Sequence, residues 1–232
     1  MEVESAGHRL FDRSQEYDAE LNQGLGLYGE DKHFFLAARV DDLQKQLGAT
    51  RPRSILDFGC GFGDSSQHLA GVYPEARVLG IDTSDQALEH ATRAHGSQRV
   101  QFRPVADFEA AEEFDLCYVN GVFHHIEPEE RISTLEVLRR ALVPGGRLAL
   151  FENNPWNPGT RILMKRLSFD QDAIPINPRE ARQLLRRGGF AECGSARFLF
   201  WFPRALAPLR FLEPWLCGVP LGAQYCLLAT RS

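Results

Sequence analysis

Through the middle of the chain, short apolar runs alternate with stretches whose apolar residues recur every three or four positions. "RSILDFG" (53–59) has the length and composition of a buried strand. "DSSQHLAGVY" (64–73) follows as a helix closed by Pro74, then "ARVLGID" (76–82) as a second strand. "TSDQALEHATRAH" (83–95) is a helix with Ser84 as N-cap. "RVQFRP" (99–104) and "FDLCYVNG" (114–121) give a third and a fourth strand. In "PEERISTLEVLRRAL" (128–142) Ile132, Leu135, Leu138 and Leu142 share one helical face, and Pro128 suits a first turn. "PGG" then turns the chain into a fifth strand, "RLALFEN" (147–153). A helix over 178–190 ends at Gly188–Gly189, and two late strands lie near 191–200 and 224–230.

Such alternation implies right-handed crossovers, hence an α/β fold with a mostly parallel sheet and helices on both faces. Ligands of such sheets bind beyond the carboxyl ends of the strands, which directs attention to the ends of the first, second, fourth and fifth. Three stretches stand outside the rhythm. Residues 1–52 include a helix with Leu36, Val40, Leu43 and Leu47 on one face. Residues 153–177 read as a Pro- and Asn-rich loop, and 201–222 are aromatic and broken by prolines.

The loop "LDFGCGFGD" (56–64), between the first strand and its helix, spaces Gly59, Gly61 and Gly63 as G-x-G-x-G. A dinucleotide site wants a third glycine one position later, where the chain here has Asp64. Asp64 would repel a pyrophosphate but suit a cationic ligand such as S-adenosylmethionine (SAM), and Asp57 adds a second negative charge. Asp82 ends the second strand, 19 residues after Gly63, where a carboxylate can accept from both hydroxyls of a ribose. Asp107, after the third strand, could meet an adenine amino group, with Phe108 or Phe62 against the ring. Alone, each of these is an ordinary turn or cap residue; in this order they are specific.

The motifs "ILDFGCGFGD", "GIDTS", "ADF", "FDLCYVNGVFHHI" and "LVPGGRLALFE" resemble those of the class I SAM-dependent methyltransferases over about residues 53–152. The resemblance implies a Rossmann-like seven-stranded sheet in the order 3-2-1-4-5-7-6, its seventh strand antiparallel. It implies that Asp57, Gly59, Gly61, Asp82, Asp107 and Asn120 contact SAM, with Cys60, Asp64, Thr83, Phe108 and Gly121 beside them, and that S-adenosylhomocysteine is the product. Residues 1–52 become an N-terminal helical lid, and 53–232 the SAM-binding domain with insertions at about 153–177 and 201–222. The flanking pieces resemble bacterial small-molecule methyltransferases more loosely.

Methyl transfer needs acceptor, methyl and sulfur in line, and a base where the acceptor carries a proton. "NGVFHHI" (120–126) stands at the end of the fourth strand, so His125 is the candidate general base, and His124 the alternative. In related enzymes a lid tyrosine assists such a His, which makes Tyr17 a catalytic candidate and Tyr28 a substrate-binding one. Equally, one His of the pair could only bond a backbone carbonyl. "ENNPWNP" (152–158) looks like the Asn/Asp-Pro-Pro-aromatic loop of amine-directed enzymes, but that loop closes the fourth strand and this one follows the fifth. Glu152, Asn153 and Trp156 remain acceptor-site candidates, with turn chemistry and a packed aromatic as the plain alternative.

The expected reaction is methylation of an oxygen or nitrogen on a small-molecule acceptor: a secondary metabolite, sugar or lipid-like compound. Carbon methylation, a non-catalytic SAM-binding protein and a nicotinamide oxidoreductase are the competing readings, the last disfavoured by Asp64. A formal net charge of −5 gives no footprint for nucleic acid. No run of 18 apolar residues occurs, so no membrane span is expected, and the lack of a lysine-rich amphipathic face in 201–222 argues against attachment of that stretch to a membrane surface. The 201–222 stretch could pack on the core, cover an apolar acceptor or form a homodimer face. Five cysteines without paired spacing suggest reduced thiols, no metal site and a cytoplasmic protein.

Overall fold

The computed structural model describes residues 29–232. The first element is α1 (Lys32–Leu47), begun by Asp31, whose carboxylate accepts from the Phe34 N–H. There follow β1 (Ser54–Phe58), α2 (Asp64–Val72), β2 (Arg77–Asp82), α3 (Asp85–His95), β3 (Val100–Pro104), β4 (Phe114–Asn120), α4 (Arg131–Ala141) and β5 (Leu142–Asn153). The remainder comprises α5 (Pro158–Arg166), α6 (Pro178–Arg187), the short strands β6 (Glu192–Cys193) and β7 (Arg197–Leu199), and β8 (Gln224–Thr230).

The sheet runs β3-β2-β1-β4-β5-β8-β6, with β7 also on β8. The first five strands are parallel; β8 pairs antiparallel with β5, β6 and β7. This is the Rossmann-like order that the motifs imply, with one correction of number. The expected strand near 191–200 is broken: Glu192–Cys193 pairs with Ala229–Thr230, and Arg197–Leu199 with Gln224–Cys226, so eight strands stand among the described residues where seven were expected.

Strand alternation sends successive residues to opposite faces. Thus Ile55 joins the core with Val40, Leu43 and Leu69 beneath α1 and α2, while Leu56 joins Leu135, Leu138 and Leu185 beneath α4 and α6. Ser84 caps α3 through the Ala87 N–H, as its position in the sequence predicts. The helix expected from 128 starts at Arg131, because Pro128–Glu130 form a turn ahead of it.

A larger correction concerns 153–177. Within the expected loop lies α5, with Asn157 capping the Thr160 N–H and Pro158 in its first turn. A 3-10 turn at Ser168–Asp170 follows. Residues 204–215 form a 3-10 segment kinked at Leu206, with Pro208 and Pro214 inside it. Among the described residues no helix is long and apolar enough to cross a membrane.

Candidate active site

The loop after β1 curls because its glycines take φ values closed to other residues: Gly59 lies at +72° and Gly63 at +83°. A Cβ on Gly59 would stand 2.4 Å from Val122 Cγ2, so the loop also needs a bare backbone there. Gly59 and Cys60 donate to the Ile81 carbonyl, and Gly61 N–H donates to Asp82 Oδ2 at 2.8 Å. The other Asp82 oxygen accepts from Ser84 N–H at 3.0 Å. One carboxylate therefore ties the glycine loop to the start of α3.

Around this loop a cavity of about 470 Å³ opens at the carboxyl edge of the sheet. Asp57, Gly59, Cys60, Gly61, Asp64, Asp82, Thr83, Asn120 and Gly121 all line it, and Phe62 and Val105 add apolar wall. Asp107 and Phe108 are not among its lining residues; Asp107 is exposed, and the Phe108 ring lies 6.3 Å from that of Phe114. Asp57 is 2% exposed and accepts from Ser66 Oγ at 2.6 Å. Burial lifts its pKa to about 7, with Ser66 pulling down and Asp82 pushing up. Asp64 is already engaged, by Lys32 Nζ at 2.8 Å and His95 Nε2 at 3.5 Å, so it anchors α1 across the cavity mouth.

A second cavity, about 200 Å³, adjoins the first. Lys32, Arg39, Asn120, Gly121 and His125 line both. Its remaining wall is Phe35, Leu163, Met164, Leu167, Phe169, Trp201 and Ala223 on the apolar side, with Asn153, Thr160, His124, Asp170 and Gln224 on the polar side. Asn120 Oδ1 and Arg39 Nε are buried with no hydrogen-bond partner among the described residues. Both belong to side chains on the shared wall, where a bound ligand can supply the missing partners.

The His pair sits on a 3-10 turn, Phe123–His125, held from below by Glu152. That carboxylate, 1% exposed, accepts from the N–H groups of Val122 (3.1 Å) and Phe123 (2.7 Å) and contacts His124 Nδ1 at 2.6 Å. On the far side of His124, Nε2 is 3.4 Å from Asp170 Oδ1, which is also 3.5 Å from His125 Nε2. Burial alone would lower the pKa of His124, but Glu152 and Asp170 outweigh it and hold it at about 10. His124 is thus a cation between two carboxylates. Burial, reinforced by the charge on His124, lowers His125 to about 4, so its imidazole is neutral at pH 7. The segment carrying Asp170 is fastened to this turn: Ile174 N–H donates to the His124 carbonyl, and Arg131 donates to the carbonyls of Ile126 and Ile174.

The structure therefore brings His124, His125 and Asn153 to the second cavity and puts Glu152 beneath it, a support for the His turn instead of a residue of the cleft mouth. Trp156 lines neither cavity; it stacks on Phe198 at 6.4 Å with Arg179 over its ring. Tyr17 and Tyr28 lie outside the described residues. Asp170, Arg39 and Lys32 were not singled out from the sequence. The N-cap and proline of "NPGTR" could have announced α5, but no spacing announces that Asp170 returns to the His pair.

A methyltransferase-domain family model matches residues 56–148, the span that holds β1 to β5 and the glycine loop. The chain is 34% identical over 190 residues to a trans-aconitate 2-methyltransferase of Methylobacterium nodulans, covering 78% of this chain and 72% of that protein. It is 36% identical over 107 residues to a malonyl-[acyl-carrier protein] O-methyltransferase of Legionella pneumophila, covering 40% of this chain and 38% of that one. Among solved structures, a Haemonchus contortus phosphoethanolamine N-methyltransferase 2 in complex with S-adenosyl-L-methionine superposes with a TM-score of 0.68 at 16% identity, over 99% of this chain and 60% of that one. The larger cavity fits that ligand's chemistry: carboxylates for its cationic groups and ribose, and bare glycine backbone for close approach. The chain belongs to the class I SAM-dependent methyltransferases.

Proposed function

We propose that the protein transfers the methyl group of SAM to an oxygen or nitrogen of a small-molecule acceptor, leaving S-adenosylhomocysteine. The observation that carries this reading is the wall common to the two cavities, on which Asn120, Gly121 and His125 face both. The larger cavity is the donor site, held by Asp57, Asp82 and the glycine loop, and the smaller one takes the acceptor. Oxygen is the favoured atom, since the relatives include a malonyl-[acyl-carrier protein] O-methyltransferase.

Bound SAM supplies an electrophilic methyl carbon on a positively charged sulfur. His125, neutral and at the wall, accepts a hydrogen bond from the acceptor's O–H or N–H and turns its lone pair toward the donor cavity. A weak base suffices, because the acceptor atom becomes strongly acidic only as it gains the methyl group. Asp170 is the adjacent carboxylate that steadies the imidazolium so formed. Glu152 lies outside the acceptor cavity and charged His124 only edges it; together they fix the turn and keep Asp170 in place. Apolar Phe35, Leu163, Met164 and Trp201 keep water from the reacting atoms. In this account α1, bound to the body through Lys32–Asp64 and Asp42–Arg197, is the lid over both cavities.

His125→Ala tests the assignment. Turnover should fall by about a hundredfold or more, the usual worth of a general base, with SAM affinity within about twofold. A variant that turned over at the wild-type rate would remove His125 from the mechanism.

A further inference from the structure

The helix found in place of the expected loop changes how the aromatic 201–222 stretch is read. Of the ten large apolar side chains exposed among the described residues, one lies on α5 and seven in the 201–222 stretch, with Phe211 68% and Trp215 84% exposed. So much apolar surface in two neighbouring segments marks an interaction face. The segments are joined: the side chain of Asn154 donates to the carbonyls of Pro220 and Gly222, that of Asn157 to Leu221, and that of Thr160 to Ala223. They also share the acceptor cavity, α5 giving Thr160, Leu163 and Met164 and the other stretch Trp201.

Charge separates the occupants this face could have. On α5, Arg161, Ile162, Lys165 and Arg166 are exposed at spacings that put them on one side, opposite the residues lining the cavity. Arg204 is exposed on the second segment, where the acid Glu213 is committed to the Phe202 N–H and Arg210 to Glu30. A chain of net charge −5 therefore carries four exposed cations on these two segments. A second copy of the same face would meet like charge, whereas an anionic bilayer would meet opposite charge and accept the Trp and Phe side chains at its interface. The basic side chains lie on α5, outside the stretch whose lack of lysines argued against membrane attachment.

We propose that α5 and residues 204–221 dock on an anionic phospholipid surface. On the reading of the 200 Å³ cavity as the acceptor site, the acceptor is then an amphipathic molecule held in that bilayer, its apolar part passing between Leu163, Met164 and Trp201. The protein would meet it at the membrane instead of drawing it from solution.

Vesicle co-sedimentation tests this without any turnover. Full-length protein should pellet with phosphatidylcholine–phosphatidylglycerol vesicles and be released by high salt. An Arg161→Gln/Lys165→Gln/Arg166→Gln variant should partition about a hundredfold more weakly, near fivefold per basic side chain. Phe211→Ser/Trp215→Ser should also lose binding, with an unchanged melting temperature because both side chains stand in solvent. Equal binding to pure phosphatidylcholine, no binding to either vesicle, or a dimer by size-exclusion mass that Phe211→Ser/Trp215→Ser splits would each overturn the proposal. Failed binding with intact methylation of soluble acceptors would leave the methyltransferase reading standing.

Discussion

Replacing Glu152 by Gln keeps the shape of the side chain and removes the charge on which the His turn depends. The amide oxygen can still accept from Val122 and Phe123, but the amide nitrogen then faces His124 Nδ1, donor against donor. A hydrogen bond to a charged group is worth about 1.5–3 kcal/mol, and breaking one side of a buried ion pair costs about 3–5 kcal/mol. A loss of about 3 kcal/mol is expected, or about 6–12 °C in melting temperature for a domain of this size. The pH dependence separates this from a general packing defect. Since His124 is raised in the folded state from an ordinary value near 6.5 to about 10, its contribution is complete below about pH 6.5 and is lost as pH rises through about 10. Melting curves at pH 6, 8 and 10 should show the gap between wild type and Glu152→Gln narrowing as pH rises. A gap that is absent at pH 6, or constant to pH 10, would refute the buried imidazolium.

Asp57, lifted by burial to about 7, should make SAM binding sensitive to pH. If the carboxylate form is the binding form, affinity rises about tenfold from pH 6 to pH 8, with proton release in calorimetry, and Asp57→Asn flattens the profile. Gly59→Ala forces a positive φ on alanine and drives its methyl group onto Val122; no SAM binding should be measurable, and soluble yield should fall. Asp170→Asn should cut kcat about tenfold or more and leave the Kd for SAM unchanged, because Asp170 lines only the acceptor cavity; an equal rise in Kd would place its role elsewhere. If neutral His125 is the working form, the acid limb of the rate–pH profile should lie well below the ordinary histidine range, toward pH 4.

How much of this could be read in advance depended on how local the determinants are. The glycines of the β1 turn and the Ser84 cap act within a few residues of themselves, so their spacing alone announced that turn and the start of α3, and Asp82, although it bonds Gly61 from the next strand, was marked by its place at that strand's end. Strand order came only with the family resemblance that the motifs carry, not from their spacing. The His pair was visible at the end of β4, but the partners that set its protonation were not. Glu152 is 27 residues from His125 and Asp170 is 45 away, brought to it by β5 and by the 168–174 segment. Glu152 read as a cleft residue because strand ends usually open to the cleft; here three donors hold it inside. The 153–177 stretch read as a loop on the weight of its prolines and asparagines, although Asn157 and Pro158 are the residues that start a helix.

The central claim, transfer of a methyl group from SAM to a small molecule, is tested most directly with methyl-labelled SAM. The full-length protein would be incubated with a host extract split into small molecules, lipids and macromolecules, beside a His125→Ala control. The account predicts label in the small-molecule or lipid fraction with wild type, and little with His125→Ala. Label confined to protein or nucleic acid, or SAM binding with no transfer into any fraction, would contradict it.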